Sequence, residues 1–485
     1  MKNSTTSKLK SSGFWQLIEV VGLMIAQFAY FTIMARLIDK DSFGLMAILN
    51  AFIAFGAVFA EGGMSAALIQ RKSITDRHIN AALQGSLLFG GLMYAILILV
   101  KHWVAVFYEQ PELVDLLPVM GVNFVLLAVS SVSISLMHKR YMFKNAAIST
   151  VLASFIGYGL GIILGLNDYG VWSLVFGTLV FSFLKTIFYI SLAPFKLKFG
   201  FFITEWKSLF GFGSGMILLK IANFCNNNGV NLLLGKILSA SSLGIFDRAN
   251  YIKNLPSKYL GHVLDRIMFP VMSELQDENT RIFKVYQHGL GLSNALMMPL
   301  SVFLIFNARE IVLILLGENW MESVVPLQIM FGILALSISG RMADSVVRSK
   351  GLIYLNVKRK YAYVIVLMIC AFFGSYYFGV LGAALAVLIS QFINYVFIIL
   401  LVKQIFNKSF KTIFIEPLKS AFLLSFVVLV LCVIYKSILG LWGESNLISF
   451  FSFSAILGIA LAIIAFKRPK LLGEYIFLTL SKIRN

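Results

Sequence analysis

The chain has 485 residues, 59% of them hydrophobic and only 13% charged, with a mean hydropathy of +0.87. Ordinary soluble domains carry about 25% charged residues, so a soluble globular enzyme is excluded. The 41 Lys and Arg against 22 Asp and Glu leave a formal net charge of +19, and its meaning depends on where those charges sit.

Apolar runs close to the ~20 residues that cross a bilayer as helix recur along the whole chain. The first, 14–35, follows Lys2, Lys8 and Lys10, but it contains Gln16, Glu19 and Gln27 and lacks a small-residue cleavage site. It therefore reads as an uncleaved helix rather than a signal peptide. Further spans are expected at 43–69, 80–100, 116–136, 146–166, 171–193 and 209–235, then at 243–272, 288–306, 324–346, 361–378, 380–402, 420–438 and 447–466. These fourteen spans leave connections too short for a folded soluble domain.

The charges alternate by connection. With both termini cytoplasmic, the interior segments hold 28 Lys and Arg, among them Arg71, Lys72, Arg77, Lys139, Arg140, Lys144 and the KRPK tail. The exterior loops hold six, Arg36, Lys40, Lys101, Lys236, Arg309 and Lys436, and carry the acids Glu109, Glu112 and Asp115. That asymmetry is the positive-inside pattern of an even number of spans, so the basicity reports topology and no nucleic-acid partner is expected. Cys225, Cys370 and Cys432 are far apart inside spans, and the five histidines do not cluster. Neither a disulfide framework, a metal site nor a cofactor is expected.

The chain resembles itself. An offset of 200 sets Ser42, Gly44 and Asn50 on Ser242, Gly244 and Asn250, and one of 208 to 209 pairs Pro118 with Pro326 and GLNDYGV from Gly165 with GSYYFGV from Gly374. Six spans per copy keep the copies in one orientation, as in transporters built from parallel repeats. The expected architecture is an all-α polytopic membrane protein: a six-helix bundle over 1–208, a second over 209–403, and two extra helices with a basic tail over 404–485.

Twelve charged residues fall inside the spans: Lys185, Lys220, Arg248, Lys253, Lys258, Arg266 and Arg341, with Glu19, Glu61, Asp247, Asp265 and Asp344. Each costs at least about 2.5 to 3.5 kcal/mol at a helix centre, which favours a partner or a hydrated cavity. For Glu19, Lys185, Arg266 and Arg341, near the cytoplasmic boundary, snorkelling to the headgroups accounts for the charge as well as a partner or cavity does. Lys220 and Lys258 lie deeper. Helical spacing puts Lys220, Asn223, Asn227 and Asn231 on one stripe. It gathers Arg248, Tyr259, His262 and Arg266 on one side of the eighth span, beside a stripe of Asp247, Asn254, Lys258 and Asp265, with Pro256 kinking that helix. In the tenth span Ser337, Arg341, Asp344 and Arg348 line up, and Asn50 and Glu61 share a face of the second.

Polar glue between helices is the alternative for single Asn or Ser residues. The excess of cations in the seventh and eighth spans points instead to a basic cavity for an anionic ligand, such as a pyrophosphate headgroup. Candidate ligand-binding residues are Lys220, Asn227, Arg248, Lys258, Arg266 and Arg341. Glu61, Asp265 and Asp344 are candidate ion-coupling carboxylates for H+ or Na+, although pairing with basic neighbours accounts equally well for the two aspartates. GVNLLLGK, from Gly229 to Lys236, has five residues between its glycines and Ile237 where a phosphate loop needs Ser or Thr, so no ATP site is expected. Transport would draw on an ion gradient or the membrane potential, worth ~2.3 kcal/mol per charge per 100 mV.

The stretch from Phe210 to Gln276 carries Gly211, Gly213 and Gly215, SLGIFDRA from Ser242, Pro256 and FPVMSELQ from Phe269. It resembles the signature of polysaccharide flippases of the multidrug/oligosaccharidyl-lipid/polysaccharide exporter superfamily, and ARLIDKDSFGLMAI from Ala35 is similar to that family's N-terminal pattern. The resemblance implies a V-shaped, alternating-access carrier of two bundles. It would move an undecaprenyl-pyrophosphate-linked oligosaccharide to the outer leaflet of a bacterial inner membrane, alongside membrane lipids and polysaccharide assembly enzymes. Cations lining a central cavity are expected in this family; Asp247 beside Arg248 departs from a purely positive site. A drug-exporting relative would be expected to line its cavity with carboxylates. A polymerase or ligase would need a larger exterior loop than 307–323.

Overall fold

The computed structural model describes residues 2–442 except 62, 72, 194, 196–199, 201 and 410. The span expected at 447–466 and the basic tail lie outside the described residues. Among the described residues there is no strand, and nine helical stretches are long and apolar enough to cross a membrane. The protein is an all-α polytopic membrane protein. It divides into two compact units, Met1–Gly244 and Ile245–Asn485.

The N-terminal unit is built from α1 (Lys2–Leu37), α2 (Lys40–Ala60), α3 (Met64–Gln70), α4 (Asp76–Tyr108), α5 (Leu113–Lys139), α6 (Phe143–Leu166), α7 (Val171–Leu192) and α8 (Ile203–Ile237), and it includes the first turn of α9 (Ala240–Glu274). Short connections make sequence neighbours antiparallel partners: α4 packs on α5, and α6 on α7. The α2 helix lies against α4, α5, α7 and α8. Asp39 caps α2 by accepting from the Ser42 N–H at 2.7 Å, which satisfies one of the free donors of the first turn. One core gathers Met64, Leu68, Ala82, Val132, Leu136, Ala146, Tyr189 and Leu209 from α3 to α8.

The second span differs from the single helix expected over 43–69. The α2 helix stops at Ala60, Glu61 follows as its C-cap, and Gly63 turns the chain at φ +68° before α3 begins. Apolarity continues through the break, so hydropathy alone reads one helix; a residue at positive φ decides that there are two. Discontinuous membrane helices free polar groups for ligands and ions.

The C-terminal unit contains the rest of α9, then α10 (Asn279–Phe306), α11 (Ala308–Leu315), α12 (Val324–Phe331), α13 (Leu334–Ser349), α14 (Ile353–Phe406) and α15 (Glu416–Trp442). The α10 helix packs on α12, α13 and α15, and α14 packs on α12 and α13. Their core includes Ile282, Tyr286, Leu290, Met342, Val346, Tyr395, Ile398 and Val402. The span expected over 324–346 bends between Phe331 and Leu334, and those over 361–378 and 380–402 are two legs of α14 meeting at Gly379.

The internal repeat is visible in backbone conformation. Gly170, before α7, has φ +52° and ψ −131°, and Gly379, its match at an offset of 209, has φ +57° and ψ −136°. Those angles are open essentially to glycine alone. GLNDYGV and GSYYFGV thus share a turn and not only a composition.

Candidate functional site

The break after α2 sets the site of the N-terminal unit. Glu61, at the C-terminal end of α2, forms an ion pair with Lys220 of α8, and the two side chains keep 34% and 29% of their surface. They are 159 residues apart in the chain. An ammonium there also faces the negative end of the α2 dipole, a second favourable interaction. Along α8 the expected polar stripe divides: Asn223 and Asn227 are exposed, with Asn227 accepting from Asn226 at 3.0 Å, whereas Asn231 is buried. The structure therefore joins a candidate ligand-binding cation to a candidate ion-coupling carboxylate.

Of the two accounts open for Glu19 and Lys185, snorkelling or contacts within the bundle, the structure gives both residues contacts within this unit. Glu19 of α1 accepts from Thr150 Oγ1 of α6 at 2.9 Å, and Thr150 Oγ1 is 2.8 Å from the Tyr189 hydroxyl of α7. With Glu19 ionised, Tyr189 donates to Thr150 and Thr150 to Glu19. The Lys185 ammonium lies over the rings of Phe181 and Tyr189, at 5.7 and 5.5 Å from their centroids. Thr150 and Tyr189, polar residues inside expected spans, were the sequence signal for this arrangement.

In the C-terminal unit Arg248 pairs with the adjacent Asp247, and its guanidinium lies 5.6 Å from the Tyr251 ring centroid. The local weakening of positive charge expected from Asp247 is thus a direct contact. Lys258 is exposed on α9, and Lys253 is buried. The Arg341 guanidinium lies so close to Gly261 that a Cβ there would fall 2.8 Å from its Cζ. Asp344 forms an ion pair with Arg348 at 3.0 Å and accepts a hydrogen bond from Arg359 at 2.9 Å. Asp265 and Arg266 belong to α9, but their side chains lie outside the described residues.

Arg359 is absent from the sequence-based candidates. Its side chain is 8% exposed, and its guanidinium also donates to Asn356 at 2.8 Å and to Asn394. Lys358 and Lys360 beside it make the segment read as a basic loop, although Asn356, one turn earlier on α14, hints at an inward face. A further pair, Lys436 of α15 with Glu310 of α11, buries a carboxylate at 3% exposure.

Outside the spans, Lys236 donates to Glu109 at 2.8 Å, and its ammonium lies 5.3 Å from the Phe107 ring centroid. The hydrogen bond and then the charge of Lys236 hold the Glu109 carboxyl below the usual carboxylate range. Among the described residues no three His, Cys, Asp or Glu side chains converge as metal ligands, and the three cysteines are free.

A helical membrane protein with ion pairs inside each unit has the architecture of a carrier rather than of a simple anchor. The fold is similar to that of the lipid II flippase MurJ in an inward closed conformation: TM-score 0.71 at 15% identity, over 97% of this chain and 98% of that one. The sequence profile of the family described as polysaccharide biosynthesis protein matches residues 33–325, and the chain belongs to that family. Relatives include an uncharacterized membrane protein in the cps region of Klebsiella pneumoniae, 23% identical over 80% of this chain and 81% of that protein. The lipopolysaccharide biosynthesis protein WzxC of Escherichia coli is 21% identical over 84% of each chain.

Proposed function

We propose that this protein is a flippase. It carries an undecaprenyl-pyrophosphate-linked oligosaccharide from the cytoplasmic to the outer leaflet of a bacterial inner membrane, for surface polysaccharide assembly. Its termini are cytoplasmic, as the 28-to-6 distribution of basic residues supports. The family, the flippase-like fold and the relative named for lipopolysaccharide biosynthesis support the reading.

The observation that carries it is Lys220, a half-buried cation on a membrane helix beside a helix break. Such a charge is retained at a cost, and a phosphate oxygen is the partner that an ammonium suits as a point charge. Asn227, Arg248, Lys258, Arg266 and Arg341 are proposed to share the headgroup and sugars during transport, and Glu61, Asp265 and Asp344 to serve ion coupling. Asp344 has the weakest claim of the three, because Arg348 and Arg359 already occupy it. An ion gradient or the inside-negative potential drives an anionic headgroup outward.

The test is movement of labelled undecaprenyl-pyrophosphate oligosaccharide across proteoliposomes under an imposed potential, with a lipophilic cation as competitor. Flipping of the glycolipid alone, sensitive to potential and reduced at least tenfold by Lys220→Ala, is the expected result. Transport of the cation without the glycolipid would assign the protein to drug export.

A further inference from the structure

One side of the packed α2 and α8 helices is polar along its length. Asn50 and Glu61 share a face of α2, Lys220, Asn223 and Asn227 share a face of α8, and the ion pair of Glu61 with Lys220 brings the two faces together. Asn50, Asn223 and Asn227 are all exposed, although each sits within an expected membrane span. Amides turned to hydrocarbon are costly, so this side faces a hydrated space or a polar ligand. We propose that these three amides form a sugar-recognition subsite beside Lys220: it takes the sugar bonded directly to the substrate's pyrophosphate, and it requires that sugar to be uncharged. The proposal rests on the reading of Lys220 as a headgroup ligand.

The spacing suits that placement. The two helices run antiparallel, since Gly235 of α8 meets Ile48 of α2 where Lys220 meets Glu61 further along. At a helical rise of about 1.5 Å per residue, Asn223 and Asn227 stand roughly 4.5 and 10 Å from Lys220 toward the C-terminal end of α8, and Asn50 stands roughly 16 Å from Glu61 in the same direction. A phosphate held at Lys220 thus puts the adjoining sugar ring level with the amides. An amide offers a donor and an acceptor, as a sugar hydroxyl does, so each side chain can exchange a pair of hydrogen bonds with ring hydroxyls or an acetamido group. The exposed Asn226 donates to the Asn227 carbonyl at 3.0 Å, which leaves the Asn227 NH2 as the donor for a ligand.

The requirement for a neutral sugar follows from charge. In the N-terminal unit the segments 20–35, 42–60, 79–100, 116–137, 146–166, 171–184 and 221–235 contain no charged residue. A uronic acid level with Asn227 finds no cation in those segments to pair with its carboxylate, and Glu61 repels it. The C-terminal unit repeats the order on α9. There Lys258 is preceded by the exposed Asn254, which donates to Asn250 at 3.3 Å, and Asn250 is the match of Asn50 at an offset of 200. In both units, therefore, the amides lie between the lysine and the connection of α8 to α9.

The experiment measures the affinity of the full-length protein in nanodiscs for undecaprenyl pyrophosphate without sugar, and for the same lipid carrying glucose, glucuronic acid, galactose or galacturonic acid. Each neutral sugar differs from its acidic counterpart only by a hydroxymethyl group in place of a carboxylate. Wild-type protein should bind at least one neutral glycolipid roughly tenfold tighter than the sugar-free lipid, the size expected of one or two hydrogen bonds, and each neutral glycolipid tighter than its acidic counterpart. Asn223→Ala combined with Asn227→Ala should cut that ratio to about twofold. Asn227→Lys, which supplies the missing cation, should favour the acidic member of each pair, a gain that a misfolded variant cannot produce.

An acidic glycolipid that binds wild-type protein as tightly as its neutral counterpart, no gain from either neutral sugar, or a ratio untouched by the paired alanines would overturn the subsite and leave the flippase reading standing. Absence of binding of the sugar-free lipid to wild-type protein, or binding indifferent to Lys220→Gln, would remove the headgroup reading and this proposal with it. The comparison of neutral with acidic sugars needs no variant, so poor folding of the alanine variant cannot hide the answer.

Discussion

Single residues here are governed by who neutralises whom. Arg359 is almost fully enclosed and depends on Asp344 for its counter-charge. Removing one member of such a pair strands the other, which costs about 3 to 5 kcal/mol in buried pairs. Asp344→Ala should therefore lower the melting temperature sharply in detergent, and Asp344→Asn with Arg359→Gln should recover part of the loss. A double variant no better than the single one would show that the carboxylate acts beyond neutralisation.

The exposed pair of Glu109 and Lys236 gives a pH prediction of known sign. The carboxyl is held below its ordinary range, so the pair's contribution is present above the unfolded carboxyl's value and is lost as pH falls through the lowered one. A melting-temperature difference between wild type and Lys236→Met should be complete near neutral pH and disappear in strong acid. Its size is small because water screens an exposed pair. A difference that persisted unchanged into strong acid would point to the packing of Lys236 on Phe107 instead.

At the scale of elements, close approach and turn geometry do what hydropathy cannot express. A Cβ on Gly44 of α2 would lie 1.9 Å from the Ala240 carbonyl oxygen, and one on Gly244 would lie 2.2 Å from that of Lys40. These two glycines are matched at an offset of 200, so the repeat conserves a contact between backbones inside the N-terminal unit. Gly44→Leu should force the helices apart and sharply reduce the amount of folded protein, read as the monodisperse peak after detergent extraction. Gly170→Ala and Gly379→Ala should each cost about 1 to 3 kcal/mol, because alanine has no relaxed conformation at these angles. Melting temperatures of the two variants check this, and equal stability to wild type would mean that the turns can rearrange.

The reach and limit of sequence reasoning also show at this scale. Apolar runs located the helices well, since the bilayer demands length and apolarity from each of them. The same averaging hid the break at Glu61 to Gly63, because α3 is as apolar as the helix before it. A helical wheel aligned Lys220 with Asn223 and Asn227 but could not name its partner, since periodicity relates only residues on one helix. The pairs Lys220 with Glu61, and Arg359 with Asp344 and Asn394, are set by helices meeting.

For the whole molecule, topology is the most direct check. A cysteine introduced at the exposed Glu112 should react with an impermeant thiol reagent added outside, and one at the exposed Arg140 only after the inner face is opened, each in a background without the three native cysteines. Labelling of Arg140→Cys from outside would reverse the charge-based orientation.

Membrane class and the presence of a repeat were determined by the sequence alone. Each follows from demands that act on local composition: backbone polar groups satisfied within a helix, and a turn that only glycine fits. The tertiary structure decided the rest. It divided the second span, set Glu61 against Lys220, brought Glu19 to the Thr150 and Tyr189 hydroxyls with Lys185 over the Tyr189 ring, and gave Arg359 its counter-charge. Those outcomes depend on distances between residues far apart in the chain, where only the packing of helices determines which charges come close enough to neutralise one another.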